Sequence, residues 1–170
     1  MATIGTWRHT EGYMVPQDID QTSTVQNNPL GLVVKARDIS EATAYGTGEF
    51  IYLKGVVSTV VGSVVTYNEA HQTALLVELA AVGPVAVAMS INVAANWGWY
   101  QRVGIAYMAA DAVNTDKQLY ADDTAGRVDD AIVAGDMIIG AVSVTLAADN
   151  FVDGYISNPY VSNDDNHGTD

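Results

Sequence analysis

The chain has 170 residues, the span of one ordinary domain, and a chain of that length can bury roughly 70% of its unfolded surface. It has no cysteine, which excludes a disulfide framework, cysteine zinc sites, iron–sulfur clusters and thiol catalysis. Seven Lys and Arg stand against 20 Asp and Glu, a net charge of −13. That charge repels phosphate backbones and anionic lipid, so neither nucleic acid nor a membrane surface is an expected partner. No apolar run approaches the ~20 residues of a spanning helix, and the start of the chain lacks a basic-then-apolar signal segment. The expected compartment is a cytosol, or an assembly built in one.

The apolar residues are unusual in kind: 23 Val and 23 Ala but only two Phe. Valine, threonine and tyrosine fit a pleated surface. Charged residues are 16% of the chain, too few to coat long amphipathic helices. The composition predicts an all-β fold with small, tightly packed side chains.

In chain order, residues 1–29 are polar and carry loop chemistry at Val15-Pro16 and Asn28-Pro29. They are expected to form an extended N-terminal arm, removable without unfolding the body. Its Trp7, Tyr13 and Met14 are candidate contacts with a partner. The body is expected over 30–148. Strand candidates are 32–37, 49–55, 63–67, 73–79, 85–90, 97–108 and 137–146. In the second, Phe50, Tyr52 and Lys54 share one face while Ile51 and Leu53 share the other. The long strand at 97–108 is expected to bend at Gly104. Asp122 to Gly126 has hairpin chemistry, with Gly126 supplying a positive φ. Ala-rich stretches at 86–95 and 106–112 have helical propensity, but branched residues and glycine interrupt both. Residues 149–170 read as an acidic C-terminal tail without Lys or Arg, unable to order by itself; Tyr155, Ile156 and Tyr160 are candidate anchors of it to the domain or to a partner. Short strands separated by Gly and Asx turns predict a β-sandwich or jelly-roll-like barrel of antiparallel strands with irregular N- and C-terminal arms.

Sites of chemistry are sparse. His9, His71 and His167 have no nearby His or Cys to make a metal pair. Asp122, Asp123, Asp129, Asp130 and Asp136 cluster in sequence but lack the spacing of an EF-hand loop, and Arg127 stands among them. Gly46-Thr47-Gly48 precedes a strand, so it is no phosphate cradle. No serine sits in a nucleophile elbow. The expectation is a non-enzyme with no cofactor and no metal. The densest aromatic stretch holds Trp97, Trp99 and Tyr100, followed by Arg102. These residues are either core on one face of a strand or an exposed contact surface.

Three segments carry a likeness: Gly48-Glu49-Phe50-Ile51-Tyr52-Leu53-Lys54-Gly55-Val56 with Gly62-Ser63-Val64-Val65-Thr66-Tyr67; Gly83-Pro84-Val85-Ala86-Val87-Ala88-Met89-Ser90 with Trp97-Gly98-Trp99-Tyr100-Gln101-Arg102-Val103-Gly104; and Ala125-Gly126-Arg127-Val128-Asp129-Asp130-Ala131 with Gly135-Asp136 and Ile139-Gly140. Together they resemble the small capsid decoration (cement) and head proteins of tailed bacteriophages. The resemblance implies a β-rich domain, commonly a homotrimer, on the outer surface of an expanded head. It implies the major capsid protein as partner and no enzyme activity or cofactor. The alternatives are a glycan- or receptor-binding head-fibre or tail-tip module, using Trp97, Trp99 and Tyr100 as an exposed platform, and a hydrolase of cell-wall polymer. Alanine at Trp97 or Trp99 separates core from interface: loss of folding marks core, and loss of assembly alone marks interface.

Overall fold

The computed structural model describes residues 6–10, 16–40 and 45–162. Among these the fold is all-β, antiparallel and sandwich-like, with no helix. The strands are β1 (Trp7–His9), β2 (Thr22–Ser23), β3 (Val33–Asp38), β4 (Thr47–Lys54), β5 (Val64–Tyr67) and β6 (Thr73–Leu75). They continue with β7 (Gly83–Ala88), β8 (Trp97–Ala109), β9 (Gln118–Ala121), β10 (Val128–Asp129), β11 (Met137–Ser143) and β12 (Phe151–Val161). The Ala-rich stretches lie in β7, β8 and the turns after them rather than in helices, because valine and tyrosine alternate with the alanines and suit a pleat.

The principal strand order is β1-β3-β4-β8-β7-β12-β11-β9-β10, with β2 on β8, β5 on β7 and β6 on β5. Strand β8 is shared by two regions. Its first half pairs with β4, where Ile51 faces Tyr100 and Tyr52 faces Trp99. Its second half pairs with β12, from Val103–Ser157 to Ala109–Phe151. Strand β7 enters where these neighbours diverge, pairing Val87 with Gln101 on β8 and Pro84 with Tyr160 on β12.

The sheet closes on itself twice. The path β8-β12-β11-β9-β10 returns to the end of β8, where Ala110 bridges Val128 and the Asp111 N–H donates to the Val128 carbonyl at 2.9 Å. The path β4-β8-β7-β5-β6 returns to β4, where Lys54 bridges Gln72 and its N–H donates to the His71 carbonyl at 3.1 Å. Each closure removes an exposed strand edge. Alternation along β5 and β7 divides the side chains between two interiors. Val64, Val85 and Val87 join Met108, Leu119, Ile138 and Ile156 in the larger one. Val65, Ala86 and Ala88 join Ile51, Leu53 and Tyr100 in the smaller one. Small residues suit such narrow interiors. At Gly154 an added Cβ would lie 2.3 Å from Met108 Cε, so the methionine occupies the space the glycine leaves.

A third cluster lies on the opposite face of β3, β4 and β8. It holds Trp7, Ile19, Phe50, Tyr52 and Trp99, with Trp97 half-buried against it. Here the arm expectation is corrected. Strand β1 pairs with β3, β2 pairs with β8, and Ile19 is buried. Buried Gln17 is the fastening: its side chain accepts from the Tyr52 hydroxyl at 2.7 Å and donates to the Gln21 and Trp97 carbonyls at 2.8 and 3.0 Å. Its own carbonyl accepts from Trp99 Nε1 at 3.0 Å. The described residues of 1–29 therefore lid an aromatic core, and removing them would strip that core rather than leave the body intact.

The C-terminal boundary is corrected as well. Residues 151–161 are a strand with neighbours on both sides, not a tail. Val152 and Ile156 point inward, and Pro159 falls where the register with β11 breaks, between the Ile156–Ala141 and Tyr160–Ile139 pairs. A proline is tolerated at such a break because no ladder bond needs its missing N–H. Residues 163–170 lie outside the described residues.

The bend at Gly104 follows the expectation, with φ +108°. A Cβ there would lie 2.9 Å from the Thr47 carbonyl oxygen. The bend is sealed by buried Gln101, whose amide donates to the Val103 and Ile105 carbonyls at 3.2 and 2.9 Å. Gly140 in β11, at φ +82°, repeats the device: the Gln118 amide donates to the Ile138 and Ala141 carbonyls at 2.8 and 3.0 Å. The hairpin glycine, Gly126, also has its expected positive φ, +85°.

Two substitutions test this packing by chemical denaturation. Gly104→Ala is expected to cost about 1–3 kcal/mol, from left-handed strain and the carbonyl contact. Trp99→Ala is expected to cost about 3–5 kcal/mol, as for a fully buried aromatic. An unchanged denaturation midpoint in either variant contradicts the packing.

Candidate functional site

The residues singled out as contacts fall in different places. Trp99 and Tyr100 are both 0% exposed, on opposite faces of β8. Trp99 meets Tyr52 edge-on, with ring centroids 5.0 Å apart, and Tyr100 belongs to the smaller interior. Trp7 is buried, edge-on to Phe50 at 4.8 Å and stacked on Tyr45 at 6.4 Å. These three are core, which corrects their assignment as interface residues and removes Trp99 and Tyr100 from any exposed stacking platform. Trp97 is half-buried, with Lys54 Nζ 6.0 Å from its ring centroid. Arg102 is partly exposed and donates through Nε to Asn158 Oδ1 at 2.8 Å, with Nη2 bonding the same oxygen. Tyr13 and Met14 lie outside the described residues.

Most of the acidic cluster is engaged by backbone N–H groups. Asp122 accepts from the Thr124 N–H at 2.6 Å, and buried Asp136 from the Leu79 N–H at 2.7 Å. Asp130 accepts from the Asn114 N–H and amide at 3.0 and 2.8 Å, and these bonds hold its carboxyl below the usual range. Asp129 behaves oppositely. Burial first, then the nearby Asp122 carboxylate, push it up to about 6, partly offset by the Ala131 N–H. Among the described residues, no group of three or more His, Asp or Glu is arranged to hold a metal ion. His9 is packed against Trp99, its ring centroid 6.0 Å away, and burial lowers its pKa.

Of the anchors expected in the C-terminal segment, Ile156 is buried in the body while Tyr155 and Tyr160 are exposed, and with β11 they form an outer face that the sequence did not reveal as one surface. Ile139 pairs with Tyr160, and Val142 pairs with Tyr155, and all four side chains are exposed. Ile139 also lines a groove of about 340 Å³ with Tyr120, Ile132, Ala134, Met137 and Ser162. None of these residues is charged, in a chain of net charge −13. At the border, Asp153 accepts from the Tyr45 hydroxyl at 3.0 Å and Arg102 is held by Asn158. The signal was present in the sequence: Phe151-Val152, Tyr155-Ile156 and Tyr160-Val161 each set an aromatic beside a branched aliphatic. The aliphatic partners point inward, and Tyr155 and Tyr160 point outward.

A second feature is a shallow groove of about 690 Å³ beside the β5–β6 turn, lined by Tyr67, Glu69, His71, Gln72 and Thr73 among others. It is mixed in character, and its acceptor Asn68 Oδ1 is engaged by the Ala70 and Gln72 N–H groups at 3.0 and 3.1 Å. No family model matches the chain, and neither does any curated protein or solved structure.

Asp129 sets a pH dependence of unusual sign. Its folded pKa is raised, so between about 3.8 and about 6 the folded state binds more protons than the unfolded one. Its contribution to stability is therefore present at low pH and lost as pH rises through about 6. Asp129→Asn is expected to raise the denaturation midpoint at pH 7.5 and to leave it nearly unchanged at pH 4. Equal effects at both pH values would contradict this assignment.

Proposed function

We propose that this protein is a non-enzymatic virion structural protein. In this reading it decorates the outer surface of a tailed-phage head, binds the major capsid protein and other copies of itself, commonly as a trimer, and stabilises the capsid lattice. The observation that carries the reading is the uncharged apolar sheet face on a closed, tightly packed and strongly acidic body. Exposed apolar faces of this kind mark surfaces that a macromolecule covers. The segments that resemble decoration proteins support it: they supply nearly all of β4, the whole of β5, β7 and β10, the first part of β8, and Ile139-Gly140 of β11. Net charge supports it too, since an acidic coat protein avoids the genome and keeps particles apart. Several linked contacts then hold firmly where one would not, because each later contact forms at high effective concentration.

The platform version of the glycan-binding alternative loses its support with Trp99 and Tyr100 in the core. The test is the copy number of this chain relative to the major capsid protein, by quantitative mass spectrometry of purified virions. The expected result is copies in proportion to the capsid lattice. A few copies per particle, as for a fibre or tail component, would overturn the reading.

A further inference from the structure

We infer that the outer face of β11 and β12 is where copies of this chain meet one another. The inference deepens the proposed function by naming the surface used for self-association, and it leaves contact with the capsid to other parts of the molecule.

Three observations select a second copy as the occupant. The first is charge. When identical chains meet around a symmetry axis, each side chain near the axis approaches its own counterpart, so a carboxylate there would face a carboxylate. A chain with 20 Asp and Glu can self-associate closely only through a surface free of them. The rows Ile139–Tyr160 and Val142–Tyr155, with the adjoining Ile132, carry no carboxylate themselves; Asp153 stands at their border, tied to the Tyr45 hydroxyl. A partner drawn to this chain by its charge would instead seek the carboxylates.

The second is area. The exposed apolar side chains of this face present on the order of 500 Å², at the upper end for the largest patch on a monomer. With a polar rim the face approaches the ~800 Å² per partner of a standard interface. Two tyrosines beside branched aliphatics are also the side chains that dominate binding energy at such centres.

The third is the course of the chain. The described residues end at Ser162, which lines the groove beside Ile132 and Ile139. Residues 163–170 run Asn-Asp-Asp-Asn-His-Gly-Thr-Asp, with no apolar side chain able to cover the face and three carboxylates that make them a poor occupant of it.

The test is sedimentation equilibrium of the full chain and of three variants, each checked for folding by its circular dichroism melt. Ile139→Glu places a carboxylate at the centre of the face. Ile132→Glu places one beside it, at a side chain 85% exposed on which folding does not depend. Val57→Glu is the control, at an exposed valine in the turn between β4 and β5. The wild-type chain is expected to self-associate, the two isoleucine variants to weaken assembly at least ~10-fold, and the control to assemble as wild type. A wild-type chain that stays monomeric to about 100 µM would overturn the inference, as would assembly of both isoleucine variants like wild type. The two readings fail separately. A monomer that still coats capsids leaves the decoration reading standing, and an assembly that never binds capsids leaves the interface standing.

Discussion

The structure depends on one strand serving two enclosures. Strand β8 runs 13 residues, and its first half divides the aromatic cluster under the N-terminal segment from the smaller closed interior. Its second half walls the larger interior. One straight strand could not face both, and Gly104 supplies the turn in direction. The backbone there takes a conformation that costs an L-residue a strained left-handed φ, and the Thr47 carbonyl fills the space a side chain would need. Bending a strand leaves carbonyls without ladder partners, and a buried carbonyl without a donor is costly. The Gln101 amide meets two of them, which explains a glutamine that is almost wholly buried. Gln118 does the same for the break at Gly140, so a glutamine amide seals both glycine bends.

This arrangement also accounts for the composition. Two narrow closed interiors sharing β7 and β8 are lined mostly by valine, alanine and isoleucine, with a few larger side chains such as Leu53, Leu119 and Tyr100. Most of the buried aromatics collect on the one face that is covered by a separate segment, where Trp7 packs edge to face with Phe50 and Tyr52 with Trp99. Closure leaves few free edges, so a chain with almost no basic residues to guard its strands keeps its backbone paired. The single ion pair among the described residues, Lys35 with Glu49 at 3.7 Å, is exposed and contributes little by comparison.

Much of this was legible in the amino-acid sequence, and the omissions have physical causes. The alternation of Phe50 and Tyr52 against Ile51 and Leu53, the bend at Gly104 and the hairpin at Gly126 follow from periodicity and glycine chemistry. Strand β12 was hidden because Asp153, Asn158 and Pro159 give it the composition of a tail. Asn158 adopts φ +46° and Pro159 sits at the register break, so both are features of an irregular strand. The N-terminal segment was misread for a similar reason. Gln17 and Ile19 show no strand periodicity, because the stretch between β1 and β2 that holds them is fixed by side-chain hydrogen bonds and burial rather than by a ladder. Most of the candidate contact residues are aromatic, a character that marks cores and interfaces alike. Only the fold separates buried Trp99 and Tyr100 from exposed Tyr155 and Tyr160.

In the proposed decoration role this construction has a direct use: a body without independent parts transmits load between its contacts instead of opening. The central structural claim is that β8 couples the two enclosures into one cooperative unit. Native-state amide hydrogen exchange on the full chain tests it most directly, comparing Ile51 to Leu53 in the smaller interior with Val152 to Ile156 in the larger. The account predicts that both sets exchange with the same free energy, equal to that of global unfolding. Exchange of the Val152–Ile156 amides through a separate, lower-energy opening, with the β4 amides still protected, would contradict it.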